Sequence, residues 1–197
     1  EALSEIGLEP GLIIAPEFSH QRPGDAANPV VTAAEGVCNK IIDCFVVADC
    51  DGTTRETAAA SAADFATSLN ILMGYPRVKI WKNGADATAP MSTSWAAQIL
   101  KRDAEAGNPY KAAWNRPLVG IRGVETRVSH RDGDPTSDSN YLCQAGVGTI
   151  IENKLLWAPF TTATDPTVRD YRSIKRIRTR RSIEKAFIRA MRKYMAG

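Results

Sequence analysis

Short apolar runs alternate with helix-periodic segments along almost the whole chain, and this alternation limits the fold more than any other feature. Leu12-Ile13-Ile14-Ala15 is a buried-strand pattern closed by Pro16; Val30, Ala34, Val37 and Ile41 then fall at i, i+4, i+7 and i+11, one face of a helix. Cys44-Phe45-Val46-Val47-Ala48 reads as a second strand, followed by an Ala-rich helix from about Glu56 to Leu72. In Arg77-Val78-Lys79-Ile80-Trp81 the apolar residues alternate with basic ones, a strand with one face nearer solvent. Residues 82–90 read as loop from their turn formers, Asn83-Gly84 and Pro90. Ser92 or Thr93 is placed to cap a helix carrying Trp95, Ile99 and Leu100, which Gly107-Asn108-Pro109 ends. Residues 117–121 read as extended and 131–138 as a polar turn, and strands at 147–151 and 155–157 pair through Glu152-Asn153-Lys154. Ile174 and Ile177 lead into a final helix. The sum is an α/β fold, a central mixed sheet flanked by helices and ending in a basic amphipathic helix.

A chain of 197 residues with 44% hydrophobic composition can bury a real core. No run of 18 apolar residues occurs, and Glu1-Ala2-Leu3-Ser4-Glu5 lacks the basic start of a signal peptide, so a soluble chain without a membrane anchor is expected. Cys38, Cys44, Cys50 and Cys143 form no Cys-x-x-Cys pair, and only His20 and His130 could join them; no zinc cluster is expected, only reduced, mostly buried thiols of a cytosolic protein.

Charge is unevenly distributed. Residues 172–197 hold ten Lys or Arg against the single acid Glu184, whereas the remainder holds 15 bases and 21 acids. A mildly acidic body thus carries a concentrated basic end, which predicts a negatively charged partner: protein, nucleic acid or another copy of the chain. On the last helix Ile183, Phe187 and Met191, with Tyr194 or Met195, make an apolar stripe opposite Lys185, Arg189, Arg192 and Lys193. The expectation is that the stripe packs on the body and turns the bases outward. A nucleic-acid site is the less favoured reading, because the only interleaved aromatics, Phe187 and Tyr194, lie on the apolar face.

Two motifs suggest an enzyme. Asp49-Cys50-Asp51-Gly52-Thr53 directly follows an apolar strand, as in haloacid-dehalogenase-like phosphatases, where the first carboxylate attacks phosphorus and the second serves as general acid. Gly133-Asp134-Pro135-Thr136-Ser137-Asp138 echoes the metal-binding motif of those enzymes. Residues 125–132 are too polar for the central strand that motif requires, so the alternative is preferred that Asp49 and Asp51 cap the Ala-rich helix. No nucleophile elbow, phosphate loop or His-Glu-x-x-His is present, His20 and His130 read as loop or surface residues, and the four tryptophans read as packing residues.

Several stretches taken together resemble the core of contractile tail sheath proteins, the subunits of phage tails, pyocins and related injection machines. They are Pro10 to Ser19, Val46-Val47-Ala48-Asp49, Tyr75-Pro76-Arg77-Val78, and most specifically Pro90 to Asn115 with Arg102-Asp103 and Gly107-Asn108-Pro109. Asp138-x-Asn140-Tyr141-Leu142, Ala145 to Ile150, Trp157, Thr161-Thr162 and Ile177 to Glu184 continue the similarity in order.

The resemblance implies a non-enzymatic building block without cofactor or metal, and a core of subtilisin-like topology that carries no protease. It implies a helical polymer of the chain with itself around an inner tail tube, with baseplate and tail terminator proteins as further partners. Its place would be the virion tail, assembled in the bacterial cytoplasm. Residues 1–115 would form the sheath core and 116–197 a C-terminal part packed on it, within a fragment of a longer subunit lacking one or both exchange arms. Arg178, Arg181, Lys185, Arg189, Arg192 and Lys193 would face the tube.

Overall fold

The apolar run at 44–48 becomes β2 (Phe45–Asp49), every residue of which is buried, in a five-stranded sheet of order β1-β2-β3-β7-β8. The computed structural model describes residues 9–109 and 111–195. β1 (Leu12–Ile14), β2, β3 (Ile71–Gly74) and β7 (Val147–Ile151) run parallel, and β8 (Leu155–Trp157) closes the sheet antiparallel to β7. Because side chains alternate along a strand, β2 feeds two cores. Val46 and Ala48 join Ile71, Met73 and Val147 under α1 (Pro29–Cys38), α2 (Arg55–Ala63) and α4 (Asp138–Gln144). Phe45 and Val47 join Leu72 and Ile150 under α3 (Met91–Ala106) and the first turns of α5 (Ile174–Met195). Helices on both faces are what a parallel strand buried on both sides demands.

Local chemistry fixes the helix ends. Asn28 Oδ1 accepts from the amides of Val30 and Val31 at 2.8 and 3.1 Å, with Pro29 at the first helical position of α1. Thr54 and Thr57 form a reciprocal capping box at α2. α3 ends at Gly107, in the left-handed conformation with φ 68°.

Three segments differ from the sequence reading. The Ala-rich helix stops at Ala63, and residues 71–74 are not its last turn but β3. A short apolar run bounded by Asn70 and Gly74 fits either state by periodicity, and here its backbone completes the ladder between β2 and β7. Residues 82–90 are not loop throughout: β4 (Val78–Lys82) and β5 (Ala85–Ala89) form a hairpin in which Asn83 and Gly84 both take positive φ, 52° and 82°. Two left-handed residues make the tight turn that matches strand twist, and Asn-Gly accommodates them. β6 (Gly123–Val124) flanks β4 to complete a second, three-stranded sheet. The polar turn at 131–138 ends by starting α4, a helix too short to show an apolar period of its own.

β1 to β3 precede residue 115 and β7 and β8 follow it, so residues on both sides of that position contribute to one sheet. The fit of α3 on that sheet is tight. A Cβ on Gly148 would lie 2.6 Å from the indole of Trp95 and 2.8 Å from the Cβ of Ala158, so only glycine lets the ring pack this closely on β7.

Candidate functional site

The basic end divides into two halves. The entry of α5 is seated in the body: Ile174 and Ile177 are buried, and so are Arg178 and Arg181, at 8% and 9% exposure. These four residues are spaced i, i+3, i+4 and i+7, one helical face. Beyond Lys185 every residue from 186 to 192 is exposed, so these seven residues, about 10 Å of helix, project largely beyond the body.

This arrangement corrects two expectations. Arg178 is not turned outward near the helix entry; its guanidinium forks onto Asp103, Nη1 donating to Oδ1 at 3.0 Å and Nη2 to Oδ2, a bidentate pair that ties α5 to α3. Arg181 reaches the interior, where Nη1 donates to the Cys44 carbonyl at 3.2 Å, Nη2 to Asn70 Oδ1, and the guanidinium lies 4.8 Å from the Phe45 ring centroid. Burial pulls the pKa of Arg181 below the usual arginine value. The apolar stripe is likewise not packed on the body: Ile183 is 58% exposed, Phe187 63% and Tyr194 73%.

The reason is angular. At about 100° per residue, Ile183 lies ~180° around the helix from Ile174 and Phe187 ~140°, while Met191 stands on the flank, ~100° from Ile174. The helix has two non-polar faces, and the body takes the one at its start. Lys185, Arg189 and Arg192 continue the line of that first face past the edge of the body. The Lys185 Nζ is 3.3 Å from Glu9 Oε2, and Arg180 pairs with Glu184 at 3.3 Å, whereas Arg189 and Arg192 have no ion pair among the described residues. Of Lys193 only the backbone is described. The projecting half therefore presents basic and apolar sides together.

The phosphatase residues do different work. Asp49 is buried, and its Oδ1 accepts from the Ser92 amide at 2.8 Å while Oδ2 accepts from Ser92 Oγ at 2.6 Å and Ser19 Oγ at 3.2 Å. It thus caps α3, whose own N-cap, Pro90, offers no side-chain acceptor, and not the Ala-rich helix, which Thr54 caps. Burial raises its pKa above the usual carboxylate value against the lowering by those hydroxyl and amide donors. The Asp51 amide donates to Ser61 Oγ at 3.2 Å.

Asp134 and Asp138 are engaged elsewhere, Asp134 with Thr136 and Asp138 with the Ser129 amide at 3.0 Å and Arg55 at 2.7 Å. No group of three His, Cys, Asp or Glu side chains suited to a metal ion occurs among the described residues. His130 stands between Ser139 Oγ, 2.8 Å from Nδ1, and Asp132, 3.3 Å from Nε2, the residue types of a hydrolase triad. Ser139 is fully buried, so its hydroxyl is closed to a substrate of ester or peptide size.

The chain is similar to the tail sheath protein of Burkholderia phage BcepMu, 31% identical over an alignment of 139 residues that covers 64% of this chain and 29% of that protein. No family model matches the chain. Among solved structures it is similar to the helical sheath of the anti-feeding prophage in its contracted state, with a TM-score of 0.60 and 22% identity over 94% of this chain and 49% of that one. The contracted sheath complex of the extracellular contractile injection system PVC gives a TM-score of 0.70 and 19% identity over 97% of this chain and 50% of that one. The fold is that of contractile sheath chains, and in sequence the chain is similar to a phage tail sheath protein. It spans under a third of that relative and about half of the two sheath chains.

Proposed function

We propose that the chain is the core of a structural subunit of a contractile tail sheath, which polymerises helically around an inner tube and contracts to drive the tube through a target cell envelope. The observation that carries this is the coincidence of a sequence relationship over 64% of the chain with a sheath-like fold over nearly all of it. The role is mechanical and not enzymatic: the carboxylates that resemble a phosphatase site are spent on capping α3 and on holding the start of α4. The partners are further copies of the chain, the tube, and the baseplate and terminator proteins at the ends of the polymer, in the tail of a virion or injection system.

Within that reading α5 is the tube-facing element. Lys185, Arg189, Arg192 and Lys193 supply positive charge toward an acidic tube, while Arg178 and Arg181 fix the angle at which the helix leaves the body. Exposed ion pairs contribute only about 0–1 kcal/mol each, so the grip comes from repetition along the polymer. The test is co-assembly of the full-length subunit with tube, followed by negative-stain microscopy. Wild type forms tubes or rings, and reversal of Lys185, Arg189 and Arg192 to Glu leaves a folded monomer that no longer coats tubes at moderate salt. A strictly monomeric wild type overturns the sheath reading, and normal coating by the reversed variant overturns the role given to these bases.

A further inference from the structure

We propose that Cys38 and Cys44 are an oxidisable dithiol, a modification site at which a peroxide converts the pair to an internal disulfide beneath the basic helix. Cys38 is the last residue of α1 and Cys44 immediately precedes β2, so the turn at 39–43 folds the two sulfurs together. The Cys38 thiol donates to the Cys44 sulfur at 2.7 Å, and both residues are fully buried. Arg181 lies against the same spot, donating to the Cys44 carbonyl at 3.2 Å, and has no ion pair among the described residues. Cys50 and Cys143 are free cysteines without such a neighbour.

The surroundings assign the two sulfurs different roles. The hydrogen bond from Cys38 and then the charge of Arg181 hold the Cys44 thiol below its ordinary pKa, against the opposing effect of burial. Cys38 is pushed far up by giving that hydrogen bond and by burial. Cys44 is therefore the attacking sulfur and Cys38 the resolving one. The Cys44 thiolate attacks one oxygen of hydrogen peroxide; an S–O bond forms, the O–O bond breaks, and the hydroxide released takes up a proton to leave as water. Cys38 sulfur then attacks the sulfenic sulfur; the S–S bond forms, the S–O bond breaks, and the oxygen departs as a second water carrying the Cys38 proton. Two thiols are oxidised by two electrons and one peroxide is reduced. The product joins the end of α1 to the start of β2 directly under the Arg181 anchor of α5, whatever partner that helix takes.

The test treats the folded chain with increasing hydrogen peroxide, then denatures, alkylates and maps the peptides by mass spectrometry. A linked Cys38–Cys44 peptide, lighter by two hydrogens, appears at peroxide doses that leave Cys50 and Cys143 free to alkylate. Cys38→Ser halts Cys44 at the sulfenic acid, trapped by dimedone, and Cys44→Ser leaves Cys38 reduced. The proposal is overturned if the wild-type pair remains fully alkylatable at doses that oxidise Cys143, or if wild-type Cys44 accumulates as sulfenic or sulfinic acid without a linked peptide. Both of those readings come from the native sequence and do not depend on a variant folding.

Discussion

Replacing Gly148 with alanine puts one methyl group into the tightest contact between helix and sheet. The added Cβ would sit 2.6 and 2.7 Å from two ring carbons of Trp95 and 2.8 Å from the Cβ of Ala158, all inside the closest approach that real carbon atoms make. Trp95 is itself 1% exposed and packs among Met91, Ile99 and Leu156, so the ring has no open side toward which to tilt. Overpacking of this kind costs about 1–3 kcal/mol, which for a chain of this length lowers the melting temperature by roughly 2–12 °C. Gly74 is the internal control. Its Cβ would meet the Sδ of Met91 at 3.0 Å, an unbranched side chain that can give way, so Gly74→Ala costs less. Trp95→Phe removes the ring atoms that clash, and the double variant is more stable than the sum of the two single losses requires. Thermal and urea denaturation of the four variants measures this. A Gly148→Ala protein as stable as wild type, or strict additivity with Trp95→Phe, refutes the account of why glycine stands at this position.

Asp49 holds a proton more tightly in the fold than in the unfolded chain, so its ionisation opposes folding, and the contribution of this group to stability falls as pH rises from about 3.8 through its raised folded pKa. The difference in unfolding free energy between wild type and Asp49→Asn, measured across that range, shifts toward the Asn variant as pH rises; a pH-independent difference contradicts the assignment. Asp49→Ala leaves the Ser92 amide of α3 unsatisfied and costs about 1–2 kcal/mol by denaturant titration, a cost that shrinks as pH rises through the same range. Arg178→Ala strands Asp103 and costs about 1.5–3 kcal/mol, and Arg178→Lys restores only part because an ammonium cannot fork onto both carboxylate oxygens; equal rescue by Lys would show that the pair acts as point charges.

The central strands are legible because nothing competes with their pattern: residues 44–48 are apolar throughout and short, and residues 147–151 are equally short, with Val147, Ile150 and Ile151 around Gly148 and Thr149. β3 was hidden by its neighbour. Its four residues follow an Ala-rich segment, and the difference between a helix that continues and one that stops at Ala63 lies in which strands wait for a hydrogen-bond partner, a long-range fact. β5 is hidden by Asn83-Gly84, because that dipeptide signals a loop and is also the strongest short hairpin signal. Asp49 was recognised as a capping residue but given the wrong helix, since chain proximity favours α2 whereas the strand end points its carboxylate at α3. The charge of the last helix was readable by counting. Which of its faces the body covers was not, because a 22-residue helix outruns the core that seats it, and periodicity alone assigns every apolar stripe to burial.

The exposed stripe changes what the basic helix is expected to do on meeting its partner. If charge alone carried docking, Ile183, Phe187 and Met191 would be paying a standing hydration penalty for nothing, and their replacement by Ser would leave assembly intact. Covering what these three side chains still expose contributes about 0.6–2 kcal/mol each, more than exposed ion pairs of Lys185, Arg189 and Arg192 supply. The two sets of side chains therefore separate by their dependence on salt. Ile183, Phe187 and Met191 replaced together by Ser should leave monomer stability within about 0.5 kcal/mol of wild type, since the three already face solvent, yet abolish polymer formation at every ionic strength. Charge reversal should instead weaken it most at low salt, where like charges are least screened, and the loss should shrink as salt rises. Unfolding of the Ser variant would place the stripe inside the body, contrary to the fold described; a stable Ser variant that still assembles would leave the bases as the sole docking element and remove the stripe from the interface.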